Sequence, residues 1–130
     1  MPLLRVVIDT NVLVSALLKN PSIPRSAVNK ITSGRATLVY SDDIFAEHID
    51  VLNRKKLKLQ RVEIDNLLNY ILVFGERISP FPQFVHFTDE TDKKFYEVFK
   101  TAGADYLITG NIKHFPEDER IITPREFVEL

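Results

Sequence analysis

Cysteine is absent from the chain. Disulfides and thiolate metal sites are therefore excluded. Long apolar runs are also lacking: nothing approaches the ~18 residues that a membrane span needs. No signal-peptide pattern follows Met1. These absences fit a cytoplasmic protein. Excess charge of either sign is missing as well. A net charge of −1 argues against broad, charge-driven nucleic-acid binding and leaves room for a local basic patch beside an acidic site. There are no repeats, no low-complexity segment and no linker. The 130 residues, 45% apolar and 27% charged, read as one globular domain spanning residues 1–130.

The stretch that organises the rest is Arg5-Val6-Val7-Ile8-Asp9-Thr10-Asn11. Three β-branched residues in a row indicate a strand buried on both faces. The run stops at Asp9, and Val12, Leu13, Ala16 and Leu17 then take up helical spacing, predicting a first helix from about Val12 to Leu18. Pro24 opens a second helix whose inner face is Ala27, Val28 and Ile31, and Gly34 stops it. Ala36–Tyr40 is the second strand. Ser41 caps a third helix with Asp42 and Asp43 in its first turn and a stripe of Ile44, Phe45, Ile49 and Leu52. A basic junction, Arg54 to Arg61, precedes a fourth helix over Glu63 to Glu76, with Ile64, Leu67, Leu68, Ile71 and Leu72 on one face and Gly75 near its end. Ile78 to Val85, with two prolines, reads as an irregular or edge strand. Thr91 caps a fifth helix in which Phe95, Val98, Phe99 and Ala102 share a face, and Gly103 ends it. Asp105–Thr109 and Ile121–Ile122 are the remaining strands. Thr123-Pro124-Arg125-Glu126 is a capping box that starts a last helix. Strands alternating with helices predict an α/β fold of three α/β/α layers around a central, mostly parallel sheet.

In such sheets ligands sit at the carboxyl ends of the strands, at the point where the winding reverses. If the first strand is central, Asp9 meets three other polar places there: Asp42, Asp43 and Glu47; Asp89, Glu90 and Asp92; and Asn111. Each has a plainer reading when taken alone. Asp9 reads as a helix cap, Asp92 as a partner of the helix dipole and Glu47 as part of a solvated face. Convergence would make them a site. Carboxylates gathered without a cation repel one another, and Mg²⁺ or Mn²⁺, which prefer oxygen ligands, would relieve this. Such an ion also suits phosphodiester hydrolysis. Arg54, Lys55, Lys56, Lys58 and Arg61 could track a phosphate backbone or simply form a solvated helix end. His48 and His86 are expected on partly exposed faces. His114, beside Lys113, could meet a phosphate or be merely a loop residue. A phosphatase with Asp9 as nucleophile would want Asp-x-Asp, but position 11 is Asn.

Several of these stretches together resemble the PIN-domain family: Val7 to Leu13, Ser41 to Glu47, Asp92-Lys93-Lys94-Phe95, Gly103 to Gly110 and Ile122 to Phe127. The likeness is greatest to the small PIN proteins that act as toxins in prokaryotic toxin–antitoxin pairs. The resemblance implies an α/β/α fold and a metal-dependent endoribonuclease acting on single-stranded RNA. Asp9, Glu47 and Asp92 match the family's first three acidic positions and would be its metal ligands. Asn111 stands where a fourth acid is usual, and it is the only support for the rival reading of a weakened RNA- or protein-binding module. Thr10, Asn11 and Thr109 match positions that support the site by hydrogen bonding, whereas Asp105 is expected to be structural. The resemblance also implies an antitoxin partner and a homodimer. Phe74, Phe81, Phe84 and Phe87, crowding the irregular region, agree with the latter.

Overall fold

The structure is a computed structural model that describes residues 3–130. Its centre is β1 (Leu4–Ile8), whose Val6, Val7 and Ile8 are buried. The strand pairs in parallel on both sides, with β2 (Ala36–Tyr40) and with β4 (Tyr106–Ile108). Two short strands complete the sheet: β3 (Glu76–Arg77) on β2 and β5 (Ile121–Ile122) on β4, both parallel. The order is β3-β2-β1-β4-β5. The sheet is thus wholly parallel, and the winding reverses at β1.

Among the described residues, six helices flank it in an α/β/α arrangement: α1 (Thr10–Leu18), α2 (Ile23–Lys30), α3 (Asp42–Leu52), α4 (Arg61–Phe74), α5 (Lys93–Ala102) and α6 (Pro124–Val128). Helix α5 lies across β1, β2 and β4 and also meets α3, while α2 packs between α1 and α6. Phe95 and Phe99 of α5, Phe127 of α6 and Leu13 of α1 are enclosed in the core with the strand residues. The caps follow local chemistry. Ser22 accepts from Arg25 N–H, Ser41 from Ile44 N–H, and Thr123 forms the expected reciprocal box with Glu126. Gly103 ends α5 at φ 59°, where a side chain would be strained. Gly75 serves a different purpose: a Cβ there would come within 2.5 Å of the Ile71 carbonyl and 2.7 Å of the Tyr40 ring, so only glycine lets α4 hand over to β3.

Several boundaries differ from the sequence expectation, each for a physical reason. The buried stripe of α3 is Ile44, His48 and Leu52, a clean i, i+4, i+8 line, and Ile49 is 42% exposed. His48 therefore does not sit on a partly exposed face. Leu72 of α4 is 55% exposed for a similar reason: Ile64, Leu67 and Ile71 already define the inward line, and Leu72 falls beyond it. Helix α4 starts at Arg61, two residues early. Thr91 caps nothing. Asp89 instead accepts from Thr91 N–H to cap a tight turn, Glu90–Asp92, from which α5 continues. The edge strand is Glu76–Arg77, and residues 78–87 run irregularly beside it. Phe87 is buried against Phe115 and Tyr96, whereas Phe81 and Phe84 are 72% and 99% exposed. Asp105 is structural: its carboxylate accepts from Arg5 N–H at 2.8 Å, at the opposite end of the strands from Asp9.

Candidate active site

The carboxyl ends of β1 and β4 open into a cleft of about 610 Å³. Its lining includes Asp9, Thr10, Asn11, Glu47, Asp92, Asn111 and His114, so the four sequence-predicted acid and amide positions share one cavity. Arg54 stands at its rim. Lys55, Lys56, Lys58 and Arg61 are exposed on and after the turn that follows, outside the cleft lining. Two further carboxylates, Asp50 and Asp89, also line the cleft. Asp50 pairs with Arg54 at 3.2 Å.

Asp9 ends β1 and caps α1. Its Oδ1 accepts from Asn11 N–H at 3.2 Å and its Oδ2 from the Thr109 hydroxyl at 2.9 Å. The Thr109 oxygen in turn accepts from Asn111 N–H at 3.0 Å. The helix-cap role and a functional role are therefore compatible, since each carboxylate oxygen keeps a free lone pair. Burial pushes the Asp9 pKa up, the two hydrogen bonds pull it down, and the charge of Glu47 adds to the rise. Asp92 behaves alike: burial raises it first, then the charges of Asp9 and Asp89, with His114 opposing.

Asp92 carries the most informative atom. Its Oδ2 is enclosed, and none of the described residues makes a well-aligned hydrogen bond to it. His114 Nδ1 lies 3.3 Å away, within ion-pair reach. A buried carboxylate oxygen that lacks a well-formed hydrogen bond is costly. It is the kind of donor that a hard cation satisfies. Among the described residues, no three His, Asp or Glu side chains converge tightly enough to hold an ion by themselves. Mg²⁺ usually takes only one or two protein carboxylates, and water completes its shell. Asp9 and Asp92 fit that donor set.

Glu47 is held away from free rotation at both oxygens. Its Oε2 accepts from the Thr10 hydroxyl at 2.5 Å, and its Oε1 accepts from Lys94 Nζ at 2.8 Å. The Thr10 oxygen also lies 2.9 Å from His48 Nδ1. Because Thr10 spends its one proton on a carboxylate that can only accept, His48 must donate from Nδ1. Burial lowers the His48 pKa to about 4, so the ring is neutral near pH 7 and this tautomer is consistent. A chain His48–Thr10–Glu47–Lys94 thus runs from the core to the site.

His48 and Lys94 are the members that sequence reasoning missed. The signal for His48 was its i+4 relation to Ile44 and i−4 relation to Leu52. The signal for Lys94 was subtler. Lys93 and Lys94 occupy the first turn of α5, where the helix dipole disfavours cations. A lysine in that place needs a partner.

A family model described as PIN domain matches residues 5–113. No curated protein matches the chain.

Proposed function

The chain belongs to the PIN-domain family, whose members are generally metal-dependent nucleases, and on that premise we propose that it is a Mg²⁺- or Mn²⁺-dependent endoribonuclease that cuts single-stranded RNA. The observation that carries the reading is the enclosed Oδ2 of Asp92, which faces His114 at 3.3 Å and shares its cleft with buried Asp9 at the switch point of a parallel sheet. Asp9 and Asp92 would hold the ion, with Glu47 reaching it through water. Bound there, the ion would supply Lewis-acid stabilisation of the charge developing on the phosphate and lower the pKa of water.

The chain's own residues do the rest. Thr109 and Asn11 fix the Asp9 carboxylate from two sides. Thr10 and Lys94 fix Glu47, whose remaining lone pairs orient the attacking water. Asn111, a neutral amide, positions a phosphate oxygen or a water without adding charge. Arg54 at the cleft rim, the exposed lysines 55, 56 and 58 beyond it, and His114 guide the RNA backbone toward the acids.

We further propose that the protein acts as one domain in the cytoplasm, as the toxin of a toxin–antitoxin pair held by an antitoxin protein. It is a homodimer joined through the exposed Phe81 and Phe84. Among the described residues, no helix is long and apolar enough to cross a membrane.

The test is cleavage of a defined single-stranded RNA with Mn²⁺ and with EDTA, beside Asp9→Asn. Cutting that requires the metal and disappears in Asp9→Asn supports the assignment. RNA that stays bound but uncut, equally in EDTA and Mn²⁺, would instead favour the binding module to which Asn111 points.

A further inference from the structure

Lys94 is an unusual occupant of an acidic, metal-suited site. Its ammonium donates to Glu47 Oε1 at 2.8 Å and to the Thr91 carbonyl at 2.6 Å. Its side chain is only 22% exposed, and Nζ lies 5.5 Å from the centre of the Phe95 ring. Burying an ammonium costs free energy, and the first turn of a helix adds the repulsion of the dipole. The α3 carboxylate, the carbonyl before α5 and the Phe95 ring nevertheless hold it there. The placement is over-determined, so it demands an explanation from the site itself.

Charge counting supplies one. Asp9, Glu47 and Asp92 contribute three negative charges, and Lys94 cancels one. Asp50 is matched by Arg54, while Asp89, turned toward the N–H of Thr91 before α5, keeps its charge at the cleft wall. Three carboxylates and one ammonium sum to −2, the charge that one divalent ion balances, with Asp89 the nearest further anion. Asn111, being neutral, adds nothing for a second. We infer that Lys94 is a positioning residue and the resident counter-cation of the site: it neutralises Glu47 and so limits the RNA-free protein to one divalent ion. This rests on the nuclease reading above and extends it.

The experiment is calorimetric titration of Mn²⁺ into the RNA-free protein, comparing wild type with Lys94→Gln, Lys94→Met and Lys94→Arg. Glutamine keeps a donor for Glu47 and removes only the charge. Methionine removes both, and arginine keeps the charge. Wild type and Lys94→Arg should take up one ion with similar affinity. Loss of a unit charge beside a divalent site should tighten Mn²⁺ binding on the order of tenfold in the Gln and Met variants, or bring in a second ion. Equal or weaker binding at one ion per chain in Lys94→Gln would overturn the inference. A thermal melt accompanies each variant; if Lys94→Met does not fold, Lys94→Gln decides alone. Asp9→Asn separates the two claims. Uptake that is lost in Asp9→Asn yet unchanged in both neutral Lys94 variants sinks the role of Lys94 and leaves the metal reading standing. No uptake by wild type sinks both.

Discussion

Asp9→Asn perturbs the most buried anion of the cleft while keeping its shape. In the wild-type chain, burial together with Glu47 lifts the Asp9 pKa above 3.8 despite two hydrogen bonds that oppose it. Folding without metal therefore favours the protonated carboxyl more than the unfolded chain does. An amide can still accept from Asn11 N–H through Oδ1. Its Nδ2 then faces the Thr109 oxygen, whose proton is left without an acceptor at a cost of ~1 kcal/mol. Against this stands release of the carboxylate penalty, ~1.4 kcal/mol for each tenfold change in proton affinity. The sign follows from proton linkage. Between pH 3.8 and the raised value, the folded wild type binds more protons than the unfolded chain. Its stability falls as pH climbs through that window and stays reduced above it. Asparagine does not titrate. In EDTA the Tm of the variant, measured against wild type, should rise from about pH 4 to about pH 7. Mn²⁺ should reverse the order: at a hundred times Kd a competent site gains ~2.7 kcal/mol, roughly 8–11 °C for a chain of this size. The variant should gain almost nothing. Circular-dichroism melts across pH, with and without Mn²⁺, read both effects. A difference that shrinks with rising pH in EDTA, or an equal Mn²⁺ gain in both proteins, would refute the reasoning.

Other substitutions probe the rest of the cleft. Asn111→Asp should tighten Mn²⁺ binding without RNA and lower metal-free stability on the order of 1 kcal/mol through added repulsion; calorimetry and urea denaturation check each part. Replacing Lys55, Lys56 and Lys58 together by alanine should weaken RNA binding and reduce the salt slope by about 2, at ~0.7 for each single-strand phosphate no longer neutralised. Filter binding across salt concentrations would show it, and an unchanged slope would leave that run a solvated surface. Phe81→Ser with Phe84→Ser should convert a dimer to a monomer in sedimentation at micromolar concentration, and a wild type that is already monomeric would dispose of the dimer.

The sequence made the architecture legible because its signals were local and redundant. The β-branched run at Val6 to Ile8, the serine at position 41 and the Thr123–Glu126 box each act within a few residues, and each forms as expected. The parallel order followed from alternation alone. Inward faces were less legible. An apolar residue at the border of a helical stripe, such as Ile49 or Leu72, has the same periodicity whether it faces the core or water, and only the packing of α3 and α4 decides. His48 was hidden by the same ambiguity, since a polar residue on an inner line looks like an exposed one until Thr10 is seen across from it. The acids of the cleft were legible as a group because the sheet's topology gathers strand ends. The pairing of Lys94 with Glu47 was not, because it joins two helices 47 residues apart in sequence.

The position of β1 between β2 and β4 also has a consequence in time. The Thr109 hydroxyl that holds Asp9 lies 100 residues downstream of it. At a synthesis rate of ~5–20 residues per second, the emerging chain carries Asp9 without that partner for roughly 5–20 s. During this interval one edge of β1, the strand on which the sheet is centred, has no neighbour. A chain interrupted before Tyr106 would keep that open edge and lack the second wall of the cleft. It would be a template for unwanted strand pairing.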